Sequence, residues 1–263
     1  MPKAFDSTAK PLLEVRDITV RFGGIVALDA VSFQLGTGQI LGLIGPNGAG
    51  KTTLFNCLSR LYQPTSGDIL FEGRSILSRP AHNIAEIGIG RTFQNVALFE
   101  QLSVLDNVLI GAHARGHCGI IGGALVLPSA RQEENALHAD AMEIIRDLDL
   151  KDIAQRPVAG LPFGTMKRVE MARALAGRPK LLLLDEPAGG LNHEEVDGLG
   201  KFIRSIRDKR GITVLLVEHH MGLVMSISDR VVVLNFGRKI TEGRPAEIRN
   251  DPEVIGAYLG TAA

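Results

Sequence analysis

Ile40-Leu-Gly-Leu-Ile-Gly45-Pro-Asn-Gly-Ala-Gly50-Lys-Thr-Thr-Leu54 is the stretch that decides the fold of this chain. From Gly45 to Thr52 it has the pattern G-x-x-x-x-G-K-[ST]. Such a loop wraps the phosphates of a nucleotide. Its glycines let backbone N–H groups turn inward and approach phosphate oxygens with no Cβ in the way. Lys51 supplies a cation for the β and γ phosphates, and the Thr52 hydroxyl suits Mg²⁺. The flanks agree. Ile40–Ile44 is an apolar run that reads as a buried strand, and Thr52–Ser59 reads as a helix. The N-terminus of that helix adds partial positive charge to the phosphate site.

Outward from this loop, Leu12–Phe22, Val31–Leu35 and Asp68–Phe71 read as strands. Gly23-Gly24, Gly36-Thr37-Gly38 and Glu72-Gly73-Arg74 punctuate them. The middle of the chain changes period. Leu137, Ala141, Ile144, Ile145 and Leu148 recur at helical spacing, as do Val169, Ala172, Leu175 and Ala176. Strand and helix then alternate: Leu181–Leu184, a helix over Asn192–Ile206, Ile212–Val217, a short helix over His220–Ile227, and Val231–Leu234. Asn192-x-x-Glu195 has the form of a capping box. Asn235-Phe236-Gly237-Arg238 has the form of a hairpin turn. Continuous apolar strands separated by helices imply a parallel sheet covered on both faces.

A second motif is Leu181-Leu-Leu-Leu-Asp185-Glu186-Pro187, an apolar strand ending in two adjacent carboxylates. At the C-terminal end of a strand in an open α/β sheet, side chains meet the ligand crevice. Asp185 is placed to hold Mg²⁺, and Glu186 to polarise an attacking water. Phosphoryl transfer needs mainly positioning, metal charge and an oriented nucleophile, so this pair complements the phosphate loop. A third motif, Leu161-Pro162-Phe163-Gly164-Thr165, precedes a helix with Lys167 and Arg168 expected in its first turn.

In order and spacing these motifs resemble the ATP-binding subunits of ABC transporters, over residues 12–260. The resemblance implies an α/β fold: a P-loop NTPase (RecA-like) core with a small antiparallel β subdomain and an inserted α-helical subdomain. The core and β subdomain are expected at 11–93 and 171–250, the inserted helical subdomain at 94–170, and a C-terminal tail at 251–263. It implies ATP and Mg²⁺ as cofactors. Gly45, Pro46, Asn47, Gly48, Ala49, Gly50, Lys51, Thr52 and Thr53 would hold the phosphates, and Phe22 would stack on adenine. Thr52, Gln94 and Asp185 would serve the metal. Glu186, His219 and Gln94 would be catalytic, with His219 on the γ-phosphate. Leu161, Pro162, Phe163, Gly164, Thr165 and Asn192 would complete the site of a second ATPase subunit. Two departures from the family pattern stand out. Pro162 and Thr165 replace its signature Ser and Gln, so the usual hydroxyl contact is lost. His220 replaces an acid beside His219.

A narrower resemblance is to branched-chain amino acid importer ATPases of the LivG type. It rests on Gly88-Ile-Gly-Arg-Thr-Phe-Gln94-Asn-Val-Ala-Leu-Phe99, on Leu102-Ser-Val-Leu-Asp-Asn-Val108 and on the tail Asp251-Pro252-Glu-Val-Ile-Gly-Ala-Tyr-Leu259-Gly260. It rests also on Phe163-Gly164, on Ala188–Asn192 and on an extra segment near 111–131. ATPases for urea or lipopolysaccharide transport share several of these features. The implied partners are membrane permease subunits, a second ATPase subunit (homo- or heterodimer) and, indirectly, a solute-binding protein. The implied location is peripheral, at the cytoplasmic face of the inner or cell membrane.

Composition bounds the alternatives. Formal net charge is zero, so nothing electrostatic favours nucleic acid, and none is expected as a partner. ABC-type ATPases acting on DNA or ribosomes typically carry coiled coils, zinc-binding cysteines or tandem cassettes, and this chain has none of these. A regulator that binds nucleotide without hydrolysis has no use for Glu186 and His219. No apolar run approaches the ~20 residues of a membrane span. Met1–Lys10 has no apolar signal core and reads as a polar tail. Cys57 and Cys118 suggest no disulfide framework, and Cys57 reads as a small buried apolar residue. His113, His117 and Cys118 suggest no fourth metal ligand and read as a loop or surface cluster. Cys118–Leu127 reads as a loop packed on the helical insertion, with contact to a membrane subunit or the partner ATPase as the sharper alternative.

Overall fold

The computed structural model describes residues 10–93, 96–115 and 128–259. Gln94, His117, Cys118 and the rest of the Cys118–Leu127 segment lie outside the described residues. The chain forms two compact units, one drawn from residues up to 84 and from 203 onward, the other from 85–202.

The first unit holds an antiparallel sheet in the order β2-β1-β4-β5. β1 (Leu13–Phe22) and β2 (Ile25–Leu35) form a hairpin across Gly23-Gly24; β4 (Ser66–Phe71) and β5 (Arg74–Ser75) extend it. Leu13, Val15, Ile18 and Val20 of β1 are buried, the half-buried pattern of such a sheet. β2 starts six residues earlier than Val31. Register shifts against β1 and a positive φ at Ala30 break its two-residue period, which hid this half from pattern reading.

The same unit contains β3 (Ile40–Ile44), flanked in parallel by β8 (Thr213–Val217) and β9 (Arg230–Asn235), with β10 (Arg238–Gly243) antiparallel on β9. Every residue of β3 and β8 is buried, so their unbroken apolar runs have a physical cause. α1 (Lys51–Leu58) follows β3 through the phosphate loop. The expected turn joins β9 to β10 through Phe236 and Gly237, both at positive φ as a two-residue hairpin requires. α6 (Met221–Ile227), α7 (Pro245–Arg249) and α8 (Pro252–Leu259) complete the unit.

In the second unit, β6 (Ile89–Arg91) pairs in parallel with β7 (Leu181–Asp185). β6 is only three residues long and has Gly90, a poor strand former, at its centre, so it gave no strand signal. α2 (Val104–Gly111), α3 (Pro128–Asp147) and α4 (Phe163–Ala176) pack against one another. Val104, Leu105, Val108, Ala141, Ile144, Ile145, Leu148, Val169, Ala172, Leu175 and Ala176 form their core, as the helical spacing requires. Ser103 and Asp106 form a capping box on α2. Asn107, fully buried, donates to the Phe99 and Ser103 carbonyls and accepts the Phe99 amide, pinning the turn before the helix.

α4 begins at Phe163, not after the third motif. The Pro162 carbonyl accepts the Thr165 and Met166 amides, so Phe163, Gly164 and Thr165 form the first turn. Lys167 therefore falls in the second turn and is buried, a correction to its expected place. α5 (His193–Arg210) runs one turn beyond Ile206. That turn carries Arg207, Lys209 and Arg210, which suit a helix C-terminus but leave no apolar period to trace. The Asn192 capping box is present in both directions: Asn192 Oδ1 accepts the Glu195 amide at 3.0 Å, and Glu195 Oε2 accepts the Asn192 amide at 2.9 Å.

Among the described residues, no helix is long and apolar enough to cross a membrane, and no group of three metal-binding side chains gathers. His113 sits exposed in a 3₁₀ turn.

Candidate active site

The candidate residues divide between the units. In the first, Gly48 and Gly50 adopt φ of 79° and 98°, a region side chains rarely enter. A Cβ on Gly45 would collide with the Leu234 carbonyl oxygen; one on Gly50 would lie 2.7 Å from the Ala27 oxygen. The loop is thus drawn tight against β9 and β2, and only glycine fits. The hairpin turn braces it further: the Gly237 amide donates to the Ala49 carbonyl, and the Gly237 carbonyl accepts the Asp29 amide. From α8, Tyr258 brings its phenol near the Gly45 backbone, and burial pushes that phenol up to about 12 against the backbone's lowering influence.

Lys51 is buried and donates from Nζ to the carbonyls of Gly45 at 2.6 Å and Pro46 at 2.9 Å. Its ammonium is held inside the curl of the loop. α1 starts at Gly50 with no side-chain cap and no acid in its first turn. A glycine cradle, a buried lysine and a bare helix start make a site for phosphate oxygens. These features fit the nucleotide.

Phe22 ends β1 half-exposed, with its ring edge-on to Tyr62 at 5.3 Å and 75°. Its exposure leaves ring surface for stacking. His219 is exposed at the end of β8. Its amide and that of His220 both donate to the buried carboxylate of Glu218, at 2.9 and 3.1 Å. His220 is the N-cap of α6, and its Nδ1 accepts the Leu223 amide at 3.2 Å. The imidazole thus does the capping work an acid at that position would do.

In the second unit, Asp185 ends β7 with its carboxylate buried. Arg91 Nη2 donates to Asp185 Oδ2 at 2.8 Å, and Thr92 Oγ1 accepts the Asp185 amide at 3.3 Å. A buried carboxylate with hard oxygen donors suits Mg²⁺. Glu186 is partly exposed at a φ of 48°, a conformation that costs a non-glycine residue energy and concentrates at functional sites. Leu161 and the N-cap Pro162 lead into α4, and Phe163, Gly164 and Thr165 form its first turn. The Phe163 ring lies on Gly190, which has a φ of 80° and where any Cβ would sit 2.8 Å from the ring. Asn192 is engaged through Oδ1 in capping α5.

Three side chains important here were not singled out from sequence. Glu218 carried a signal of the same kind as Asp185, a charged group closing an apolar strand, whereas Arg91 closes a three-residue strand that has no apolar run. Glu170 carried none, since a lone acid on a helix is ordinary. Its carboxylate is buried and accepts the Phe93 amide at 2.9 Å. Burial raises its pKa, against the Phe93 bond and the charges of Lys167 and Arg173.

Comparison with known proteins places the chain in a family. The ABC transporter family matches residues 28–189. A second family, described as branched-chain amino acid ATP-binding cassette transporter, matches residues 238–263. The chain is 43% identical to the high-affinity branched-chain amino acid transport ATP-binding protein BraF of Pseudomonas aeruginosa, over 97% of this chain and 100% of that protein. It is 42% identical to the corresponding protein LivG of Escherichia coli K12, with the same coverage. Among solved structures, the ADP conformation of MJ1267, an ATP-binding cassette of an ABC transporter, superposes with a TM-score of 0.83 at 31% identity, covering 96% of this chain and all of that one. A phosphate-binding glycine loop, a strand ending in Asp185-Glu186 and full-length likeness to such proteins leave one assignment: the chain belongs to the ABC transporter family, as an ATP-binding, ATP-hydrolysing subunit of the branched-chain amino acid type.

Proposed function

We propose that this chain hydrolyses ATP to drive import of branched-chain amino acids through separate membrane permease subunits. The observation that carries this reading is the braced glycine loop with Lys51 buried in its curl, in a chain whose relatives of equal length are named for that transport. Gly45 to Thr53 hold the phosphates, with Lys51 on β and γ and Thr52 toward the metal. Phe22 stacks on adenine and contributes affinity with little base specificity. Asp185 and Gln94 complete the metal's surroundings, Glu186 orients the attacking water, and His219 contacts the γ-phosphate. Bound Mg²⁺ would supply charge to stabilise the phosphates during transfer.

Residues 94–170 act as a helical insertion within the ATPase core of 11–93 and 171–250, and 251–263 as its tail. Phe163, Gly164 and their neighbours are offered to a second ATPase subunit, a copy of this chain or a related one. With Pro162 in place of a hydroxyl residue, that contact relies on the amides opening α4. ATP binding favours the closed pair, and hydrolysis releases it. The difference in affinity between the two states is the only work available to move a permease. The protein sits peripherally on the cytoplasmic face of the membrane, and its link to a solute-binding protein is indirect, through the permease.

Purification of the tagged chain from membranes, with identification of what accompanies it, tests this function. Amino acid permease subunits are the expected companions. Recovery with permeases for an unrelated solute overturns the amino acid assignment and leaves the ATPase standing.

A further inference from the structure

We propose that Arg91 is a positioning residue that holds the Asp185 carboxylate when no metal is present and yields it when metal arrives, setting the affinity of the site for Mg²⁺. This inference rests on Asp185 serving the metal.

The pair lies within one unit and is well enclosed. Arg91 and Asp185 side chains are 9% and 5% exposed, and Nη2 to Oδ2 is 2.8 Å. β6 and β7 fix the geometry, since Arg91 is in register with Leu183, two residues before Asp185. A buried carboxylate needs a compensating charge, and Arg91 provides it. A divalent cation on the same carboxylate would be a second, competing source of that charge. Two cations sharing one carboxylate repel, so metal must displace or weaken the arginine bond, and the bond in turn lowers metal affinity.

Phe93, two residues along the chain, carries the exchange beyond the carboxylate. The Arg91 guanidinium carbon lies 5.0 Å from the centre of the Phe93 ring. The Phe93 amide is tied to Glu170 of α4, the helix that begins with Phe163. Phe93 immediately precedes Gln94. Loss of the Arg91 bond to Asp185 thus relaxes a restraint on the guanidinium that lies over the Phe93 ring, beside the amide anchored to α4.

The test uses ADP, so that no turnover is involved, and the full chain. Affinity for ADP is measured by calorimetry in Mg²⁺ and in EDTA, and the ratio of the two is compared among variants. Arg91→Gln is expected to raise this ratio on the order of tenfold, within the ordinary range of coupling between sites. A ratio within about twofold of wild type overturns the proposal. A measurement on the unaltered protein needs no variant: the Arg91 side-chain nitrogen signals, observed by NMR after arginine labelling. They are expected to show hindered rotation with ADP in EDTA and freer rotation once Mg²⁺ is added; signals indifferent to Mg²⁺ overturn the proposal. Asp185→Asn separates the two levels. If it abolishes the effect of Mg²⁺ on ADP affinity while Arg91→Gln changes nothing, Asp185 serves the metal and Arg91 does not act as proposed. If Asp185→Asn leaves the Mg²⁺ effect intact, the metal role of Asp185 fails, and the role of Arg91 with it.

Discussion

Under the proposed function the chemistry turns on Glu186 and Lys51, and each can be tested apart from folding. Glu186 is partly exposed, so Glu186→Gln is expected to keep ATP binding and the fold while losing roughly a hundredfold or more in turnover, the scale of removing one group that acts on the transition state. Single-turnover phosphate release reads this directly, and near-normal release removes Glu186 from its role. Lys51→Ala is expected to lose both binding and hydrolysis, because no second buried ammonium points into the loop among the described residues. Cys57 gives a control of another kind. Burial raises its thiol to about 11, so alkylation at pH 8 is expected only after unfolding. Rapid labelling of Cys57 in the folded chain would contradict the packing of α1.

At the scale of elements, the sequence declared those parts whose local chemistry is self-contained. The loop between β3 and α1, the Asn192–Glu195 cap and the Phe236-Gly237 turn each rest on a few adjacent residues, and each is present. What escaped was set by tertiary context. The first half of β2 has its period broken by bulges, β6 is a strand only because β7 lies beside it, and α4 starts at the signature segment itself. The same holds for the site. Phosphate-loop residues were legible because glycine and lysine spacing is the mechanism. Arg91 and Glu170 were not, because their meaning depends on a carboxylate and an amide far along the chain.

An element-level prediction concerns Asp140 on α3, held by Arg115 at 2.8 Å and Arg178 at 2.6 Å. Burial tends to raise its pKa, but hydrogen bonds and charge from the two arginines outweigh it, and the carboxyl lies below its ordinary value. A lowered folded-state pKa means the pair stabilises at pH above the unfolded value, about 3.9, and that the gain is lost as pH falls through the lower folded value. Asp140→Asn should therefore cost about 1 kcal/mol at neutral pH, with the difference from wild type vanishing in strong acid. Thermal melting across pH reads both. A difference that persists unchanged in acid means the ion pair is not its source.

For the whole molecule, the central question is whether ATP turnover by this chain is coupled to movement of an amino acid. Under the proposed function, the glycine loop around Lys51 and the segment that opens α4 belong to a site completed by a second ATPase subunit. The most direct measurement is uptake of labelled leucine into vesicles holding this chain with its permease and solute-binding protein, with ATP on the ATPase side. ATP-dependent accumulation with the wild-type chain, abolished by Glu186→Gln although ATP still binds, is the expected result. Leucine entry at the same rate with either chain, or with no ATP, would contradict it.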